Sequence, residues 1–350
     1  MATTFKTFLN NDIAATRTML HEAIPITGTI TSGSAYTDNN IKNHSHGMFQ
    51  TVYDYPYLSS SANHIFDITL GISPNSSSFS SVTSQQSKKR NIYNQMAQVL
   101  VGYDVTGSVL DFDVDGNILA GGDKHRNCFI IPFSRLLVKD EIKKGSFTLK
   151  LGTGDTFAAP FASSIKIQDA SGSGGYLVNS PAGEYGLLFA FDNVGTPMSP
   201  SDQPCGLLYY QAGICVLATT VFEDLLTTAC RMNSSNDLMG TLAKDSNIQA
   251  AADAFRHRFD DVTFNNTTEL NSTIYFCRAH HNEFNYSTNP TYLNNSKIRV
   301  KTNASDNPVS YITTIGLYND NNELMAVAKL SEPLKKTPDV EFTLRVRLDY

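Results

Sequence analysis

Tryptophan is absent from these 350 residues, cysteine occurs only five times, and charged side chains make up 17% of the chain, where about 25% is usual for a soluble domain. Each shortage excludes something. Cys128, Cys205, Cys215, Cys230 and Cys277 are odd in number, widely spaced and contain no C-x-x-C pair, so neither a zinc knuckle nor a disulfide framework is indicated and free buried thiols are expected. Lys88-Lys89-Arg90 is the longest basic run, and 27 Lys+Arg against 33 Asp+Glu leave a net charge of −6. That balance argues against a protein built to grip a phosphate backbone, so no nucleic-acid partner is expected. Long hydrophobic runs are missing too. The longest uncharged apolar stretch, Gly206 to Phe222, is broken by Gln211-Ala212-Gly213 and falls short of the roughly 20 residues that span a bilayer. It reads as two strands and a turn, and no membrane association is expected. Met1-Ala-Thr-Thr-Phe-Lys leads into mixed polar sequence rather than a basic stretch and an apolar core, which predicts no secretory leader and synthesis in a cytosol. The Asn-x-Ser/Thr triplets from Asn75 to Asn303 are then chance products of an Asn-, Ser- and Thr-rich composition, not glycan sites.

What the chain does have is period-two alternation. Ile24–Ile30, Ile65–Ile72, Val109–Asp113, Cys128–Val138, Phe147–Leu151, Ile165–Gln168, Leu187–Phe191, Leu207–Tyr210 and Cys215–Ala218 alternate or run apolar between Gly, Asp, Asn, Ser and Pro, the pattern of strands. So do Ser272–Arg278, Lys297–Lys301, Tyr311–Tyr318, Leu324–Leu330 and Val340–Leu348, and Asn319-Asp320-Asn321-Asn322 supplies a hairpin turn. Helical spacing is confined to four places. Ile13, Met19 and Leu20 predict a short helix over 12–22 that ends before Pro25. Ile92, Met96, Val99 and Leu100 share one helical face, Val221, Phe222, Leu225 and Leu226 another over 219–230, and Ala251, Ala254 and Phe255 a third over 248–258. Ser73–Arg90 is too poor in apolar residues to bury anything and reads as a surface loop. The expected fold class is therefore mainly β (α+β), antiparallel and β-sandwich-like, with a few short helices. At about 150 residues per domain, the composition shifts divide the chain into a β-rich segment 1–154 with two short helices, an α+β segment 155–258 and an antiparallel β segment 259–350.

Several side-chain groupings could carry chemistry. Asp111-Phe-Asp113-Val-Asp115-Gly116 is the first half of a calcium loop, with oxygen ligands at alternate positions and a glycine for the sharp turn. Its twelfth position is Gly122 rather than a bidentate glutamate, so Asp111, Asp113 and Asp115 are a weak calcium candidate. A hairpin turning through Val114–Asn117 between Val109–Asp113 and Ile118–Ala120 is the competing expectation, and no cofactor is otherwise expected. His44-Ser-His46 and Cys277 with His280 and His281 have too few ligands for a metal site. Glu223-Asp224 and Asp260-Asp261 are read as solvated acid pairs, and Arg256-His-Arg258 as the polar end of a helix. No G-x-S-x-G, Walker loop, H-E-x-x-H or complete dinucleotide fingerprint occurs, so no enzymatic activity is expected and no catalytic residue is assigned.

The last hundred residues carry the most specific signal. Asn266-Thr-Thr-Glu-Leu-Asn-Ser-Thr-Ile-Tyr-Phe-Cys277-Arg, then Asn282-Glu-Phe-Asn-Tyr-Ser-Thr-Asn-Pro290-Thr-Tyr, then Tyr311-Ile-Thr-Thr-Ile-Gly316-Leu-Tyr-Asn-Asp-Asn-Asn-Glu-Leu324 resemble virion structural proteins of T4-like marine myoviruses, cyanophages in particular. Thr4–Ile30, with Leu20-His-Glu-Ala-Ile-Pro25-Ile-Thr-Gly, and Asn91-Ile-Tyr-Asn-Gln-Met-Ala-Gln-Val-Leu are similar to the same family, so the resemblance spans most of the chain. Ile312-x-x-Ile-Gly-Leu-Tyr followed by Asn322-Glu-Leu and Ala326-Val-Ala-Lys looks like a hairpin of tail-collar and tail-fibre proteins, in the part that docks on a baseplate. The resemblance implies a structural subunit of a contractile-tailed virion, made in the host cytoplasm and located in the tail or baseplate. Its implied partners are other virion proteins and copies of itself in a symmetric assembly. A carbohydrate-binding receptor module of the particle, and a capsid or neck protein, are the alternatives. Sixteen Tyr and 20 Phe with few charges suit contact surfaces that bury area without desolvating charge. The contact candidates are Tyr311, Ile315, Leu317, Tyr318 and Leu324 of the hairpin, with Phe284, Tyr286 and Tyr292 of the aromatic segment before it.

Overall fold

The alternating segments pair into antiparallel β-structure in the computed structural model, which describes residues 5–27, 40–77, 83–118, 121–152, 161, 164–192, 194–196, 204–222, 247–285, 293–294, 297–298 and 309–350. Strands β1 (Ile13–Thr27), β2 (Ile41–Asn43), β3 (Gln50–Tyr53) and β4 (His64–Ile72) precede helix α1 (Ser84–Leu100). Then come β5 (Phe112–Asp113), β6 (Lys124–His125), β7 (Asn127–Pro132), the one-turn helix α2 (Arg135–Val138), β8 (Glu141–Ile142), β9 (Thr148–Gly152) and β10 (Ser164–Gln168). The short α3 (Gly172–Gly175) leads to β11 (Leu177–Ser180), β12 (Gly183–Phe191), β13 (Gly206–Tyr209), β14 (Ile214–Ala218) and α4 (Ile248–His257). β15 (Phe259–Ala279), β16 (Leu293–Asn294), β17 (Lys297–Ile298), β18 (Ser310–Tyr318), β19 (Leu324–Lys336) and β20 (Phe342–Asp349) complete the chain.

The chain divides into two compact units rather than the three consecutive segments expected: residues 20–268 form one, and 269–350 with the N-terminal residues through Met19 form the other. The expected boundary at 154 fails because β9 and β10, on either side of it, pair residue by residue from Ser164↔Gly152 to Gln168↔Thr148. In the larger unit the strand order is β15-β9-β10-β12-β13-β14-β7-β4-β3-β2. Gly206–Tyr209 and Ile214–Ala218 are the two strands read from the broken apolar stretch. Gly213 ends their turn at φ +66°, where a Cβ would meet Val138 at 2.8 Å.

Burial is nearly continuous along β7, β13 and β14 because both faces of the sheet are covered there. In β7, Phe129 and Ile131 face one core, while Cys128 and Ile130 face the other. The first core is aromatic: Phe66 of β4 stacks on Phe259 of β15 at 5.0 Å and meets Phe133 edge-on, and Phe129 stacks on Phe255 of α4 at 5.0 Å. The sheet thus folds on itself in the sandwich-like manner expected of alternating apolar strands. The second core lies under α1, where Tyr93 meets Phe112 edge-on and Tyr185 stacks on Tyr209. Tyr93 also ties the layers, its hydroxyl accepting the N–H of Phe112 and donating to the carbonyl of His125, each at 2.9 Å. Cys128, Cys205 and Cys215 are free and buried and Cys277 is free and half-buried, whereas Cys230 lies outside the described residues.

Several local expectations are corrected. The segment 12–22 is not a helix: after a 3₁₀ turn at Asn10–Asp12 it is the extended β1, which neighbours β15. β-branched Ile13, Thr16, Thr18 and Ile24 suit that conformation, and strand pairing outweighs the weak helical spacing. Helix α1 starts at Ser84, inside the expected loop, because Thr83 caps it by accepting the N–H of Gln86 at 3.3 Å, and Gln86 and Lys89 are buried rather than solvated. Cys128–Val138 divides into β7 and α2. Thr219–Phe222 is a 3₁₀ turn, and the rest of the helix expected there lies outside the described residues.

Candidate functional site

The hairpin expected from the sequence is present, and it forms a two-stranded sheet of its own. β18 and β19 pair from Ser310↔Lys336 to Tyr318↔Leu324. The partner of β18 jumps from Leu334 opposite Ile312 to Lys329 opposite Thr314, and the bulge holds Pro333, which has no N–H to give a ladder. The turn is built by Asn319, whose side-chain oxygen accepts the N–H groups of Asn321 (3.0 Å) and Glu323 (2.8 Å), while Asn322 takes φ +61°.

The predicted contact residues sort into different environments. Tyr311, Tyr318 and Leu324 are exposed, with Met325 and Val327 beside them. Tyr318 also packs on Phe5, ring centroids 4.8 Å apart. Ile315 is half-buried. Leu317 is buried, so it is a packing residue and not a contact residue. Phe284 is exposed with φ +53°, and its carbonyl accepts the hydroxyl of Ser310. Tyr286 and Tyr292 lie outside the described residues. At the open end of the hairpin, the wholly buried Lys336 donates to the carbonyls of His281 (3.1 Å) and Thr337 (2.9 Å) and to Asn285 Oδ1 (2.9 Å).

The aspartate triplet does not converge. Asp111 accepts from Ser73 Oγ (2.6 Å) and Asn75 Nδ2 (3.2 Å), Asp113 pairs with Lys124 Nζ (2.9 Å) and accepts the N–H of Ile118 (2.6 Å), and Asp115 accepts from Asn117 Nδ2 (2.6 Å). Each carboxylate therefore has its own protein donors. β5 pairs with β6, Phe112↔His125 and Asp113↔Lys124, while Leu119 and Ala120 of the tight hairpin expected here lie outside the described residues. Gly116 stands at φ +77°, and a Cβ on it would lie 2.2 Å from Leu177.

His44 and His46 stack at 5.1 Å, and His44 Nε2 meets Thr51 Oγ1 at 3.0 Å. His281 Nδ1 lies 3.1 Å from Glu341. Among the described residues no three or more His, Cys, Asp or Glu side chains gather as a metal site would. Asp260 pairs with Lys150, and burial, then the Asp260 charge, pushes the Asp261 carboxyl up. Glu223 and Asp224 lie outside the described residues. Arg256 and Arg258 are not a solvated helix end. Both are fully buried, Arg256 paired with Asp253 at 2.6 Å and Arg258 donating to the Gly152 carbonyl at 3.3 Å. Arg256 in the last turn of α4 and Arg258 just after it enter the interior, and the partly exposed Asp253 carboxylate and the Gly152 carbonyl offset their desolvation.

A feature absent from the sequence reading is a polar cleft in the larger unit. It has one lobe of about 400 Å³ between the loop after β4 and the Lys124–Asn127 segment, and a second of about 190 Å³ reaching Asp104, Ser108 and Asp111. Asn75, Lys124 and Arg126 line both. No helix among the described residues is long and apolar enough to cross a membrane. No family model, curated protein or solved structure matches this chain.

Proposed function

We propose that this chain is a structural subunit of a contractile-tailed bacteriophage virion, in the tail or baseplate, that works by assembly rather than by catalysis. Its partners are copies of itself and other virion proteins, it is made in the host cytoplasm, and it uses no cofactor. One observation carries the reading: the ribbon β18–β19 leaves Tyr311, Leu324, Met325 and Val327 each half or more exposed on a sheet of two strands. A two-stranded ribbon is marginal in water by itself, and a strip of exposed apolar side chains is the mark of a surface that becomes buried against a neighbour. The phrase-level resemblance of this segment to tail proteins supports the same assignment.

Mass spectrometry of purified particles tests the proposal: the protein should appear at a fixed multiple-copy stoichiometry, and its absence from the particle would sink it. The contact surface is tested separately with Leu324→Asp and Met325→Asp, whose exposed side chains the fold does not need. The double variant should stay folded by circular dichroism and lose self-association in sedimentation velocity.

A further inference from the structure

The polar cleft in the larger unit is a built feature. Ser73 N–H donates to the Arg126 carbonyl at 2.7 Å, Ser73 Oγ and Asn75 Nδ2 hold Asp111, and Ser76 Oγ donates to Asn127 Oδ1 at 2.8 Å. These bonds pin the loop after β4 against the start of β7, so this wall of the cleft is a loop fixed by hydrogen bonds to the sheet.

The two lobes differ in charge. Among the described residues the larger one has no carboxylate in its lining, and it is faced by Lys124 and Arg126 with Asn75, Ser76, Ser77 and Asn127. The ammonium of Lys124 is engaged with Asp113, both side chains almost wholly buried. Arg126 touches Asp111 only through Nε at 3.5 Å with its side chain 46% exposed, and its two Nη groups meet no partner among the described residues. A guanidinium fork in that state takes a planar carboxylate through two parallel hydrogen bonds. The smaller lobe is acidic. Asp104 Oδ1 accepts from Thr106 N, Thr106 Oγ1 and Ser108 N, whereas Oδ2 has no donor among the described residues. Such an oxygen accepts hydroxyl protons, and half-buried Val109 and Leu110 give that lobe an apolar wall.

A ligand that satisfies both lobes carries one carboxylate and several hydroxyls on a compact ring. We propose that this cleft binds an acidic saccharide unit of the uronic-acid class, its carboxylate on Arg126 and its ring hydroxyls on Asp104 and Ser108. The volume falls in the ordinary range of small-ligand sites. The cleft is made without calcium and without the β18–β19 ribbon, so this proposal stands or falls independently of the assembly reading.

Isothermal titration of the full chain with methyl β-glucuronide, methyl β-glucoside and sodium sulfate tests it. The glucuronide should bind about tenfold or more tightly than either of the others, and Arg126→Gln should remove that preference. Asp104→Asn, which leaves the Arg126–Asp111 pair untouched, should weaken the glucuronide and leave sulfate unchanged. Equal affinity for glucuronide and glucoside, sulfate binding as tight as the glucuronide, absence of glucuronide binding, or full glucuronide affinity in a folded Arg126→Gln variant would each overturn it.

Discussion

Asp113 and Lys124 stand opposite one another on the β5–β6 rung, carboxylate Oδ1 2.9 Å from the ammonium, with side chains only 3% and 4% exposed. The carboxylate at the centre of the calcium-like motif is thus neutralised inside the chain. Adding calcium or EDTA is expected to leave the melting temperature unchanged, measured by differential scanning calorimetry. Lys124→Met should lower stability by about 3 kcal/mol, since it strands a buried carboxylate. A calcium-dependent rise in melting temperature would contradict this placement.

His125 sets an acid limit on stability. It is 7% exposed, and burial pushes its imidazole down from 6.5 to about 4. Because the folded value lies below the unfolded one, the unfolded chain takes up the proton first as pH falls. The contribution is whole above pH 6.5 and is lost between 6.5 and about 4, a difference of about 3 kcal/mol. His64 acts in the opposite sense: its hydrogen bond to Asp67 raises its pKa, so its contribution is present below the ordinary histidine value and is lost as pH rises through the folded one. With its side chain 37% exposed, His64 is the smaller influence. Urea unfolding between pH 4 and 8 should show stability falling on the acid side, and His125→Gln should flatten that limb.

The aromatic core makes a sharper demand. Phe66 touches Phe133 and Phe259, and Phe255 touches Phe129 and Phe259, with Phe66 and Phe255 fully buried. Phe66→Ala or Phe255→Ala should each cost about 3–5 kcal/mol by denaturant unfolding. The double variant should cost less than the sum, because both rings share Phe259 as a neighbour.

Lys336 is expected to govern the smaller unit locally. Replacing it with Met removes three hydrogen bonds to oxygens of His281, Asn285 and Thr337. The loss should be about 2–3 kcal/mol. Hydrogen exchange should quicken in residues 280–285, while amides of α1 keep their protection.

Much of the β-structure was legible because alternation is a local property. β4, β9, β10, β12, β13, β14 and β18 lie close to where the apolar residues alternate, and the Asn-rich turn needed only residues that tolerate a left-handed backbone. Failures came where distant partners decided the outcome. Residues 12–22 carry a faint helical spacing, but pairing with β15, some 250 positions along the chain, keeps them extended. Arg258 looks solvated because its partner, the Gly152 carbonyl of β9, becomes its neighbour only when α4 leads into β15, whereas the pair of Arg256 with Asp253 is local to the helix and only its burial needed the tertiary fold.

The same division separates the candidate sites. The hairpin and its exposed Tyr311, Tyr318 and Leu324 belong to one continuous segment, so composition and turn chemistry were enough to find them. Nothing local separates the exposed Leu324 from the buried Leu317. The polar cleft had no such signal: Asn75, Asp104 and Arg126 come together only when the loop after β4 is pinned against the start of β7. Composition and periodicity alone determined a mainly β chain with few charges, free cysteines and an Asn-turned hairpin, since these follow from residue type and spacing. Tertiary structure decided which charges pair with one another and which face the cleft, because ion pairs and clefts depend on distances between residues that the chain order keeps apart.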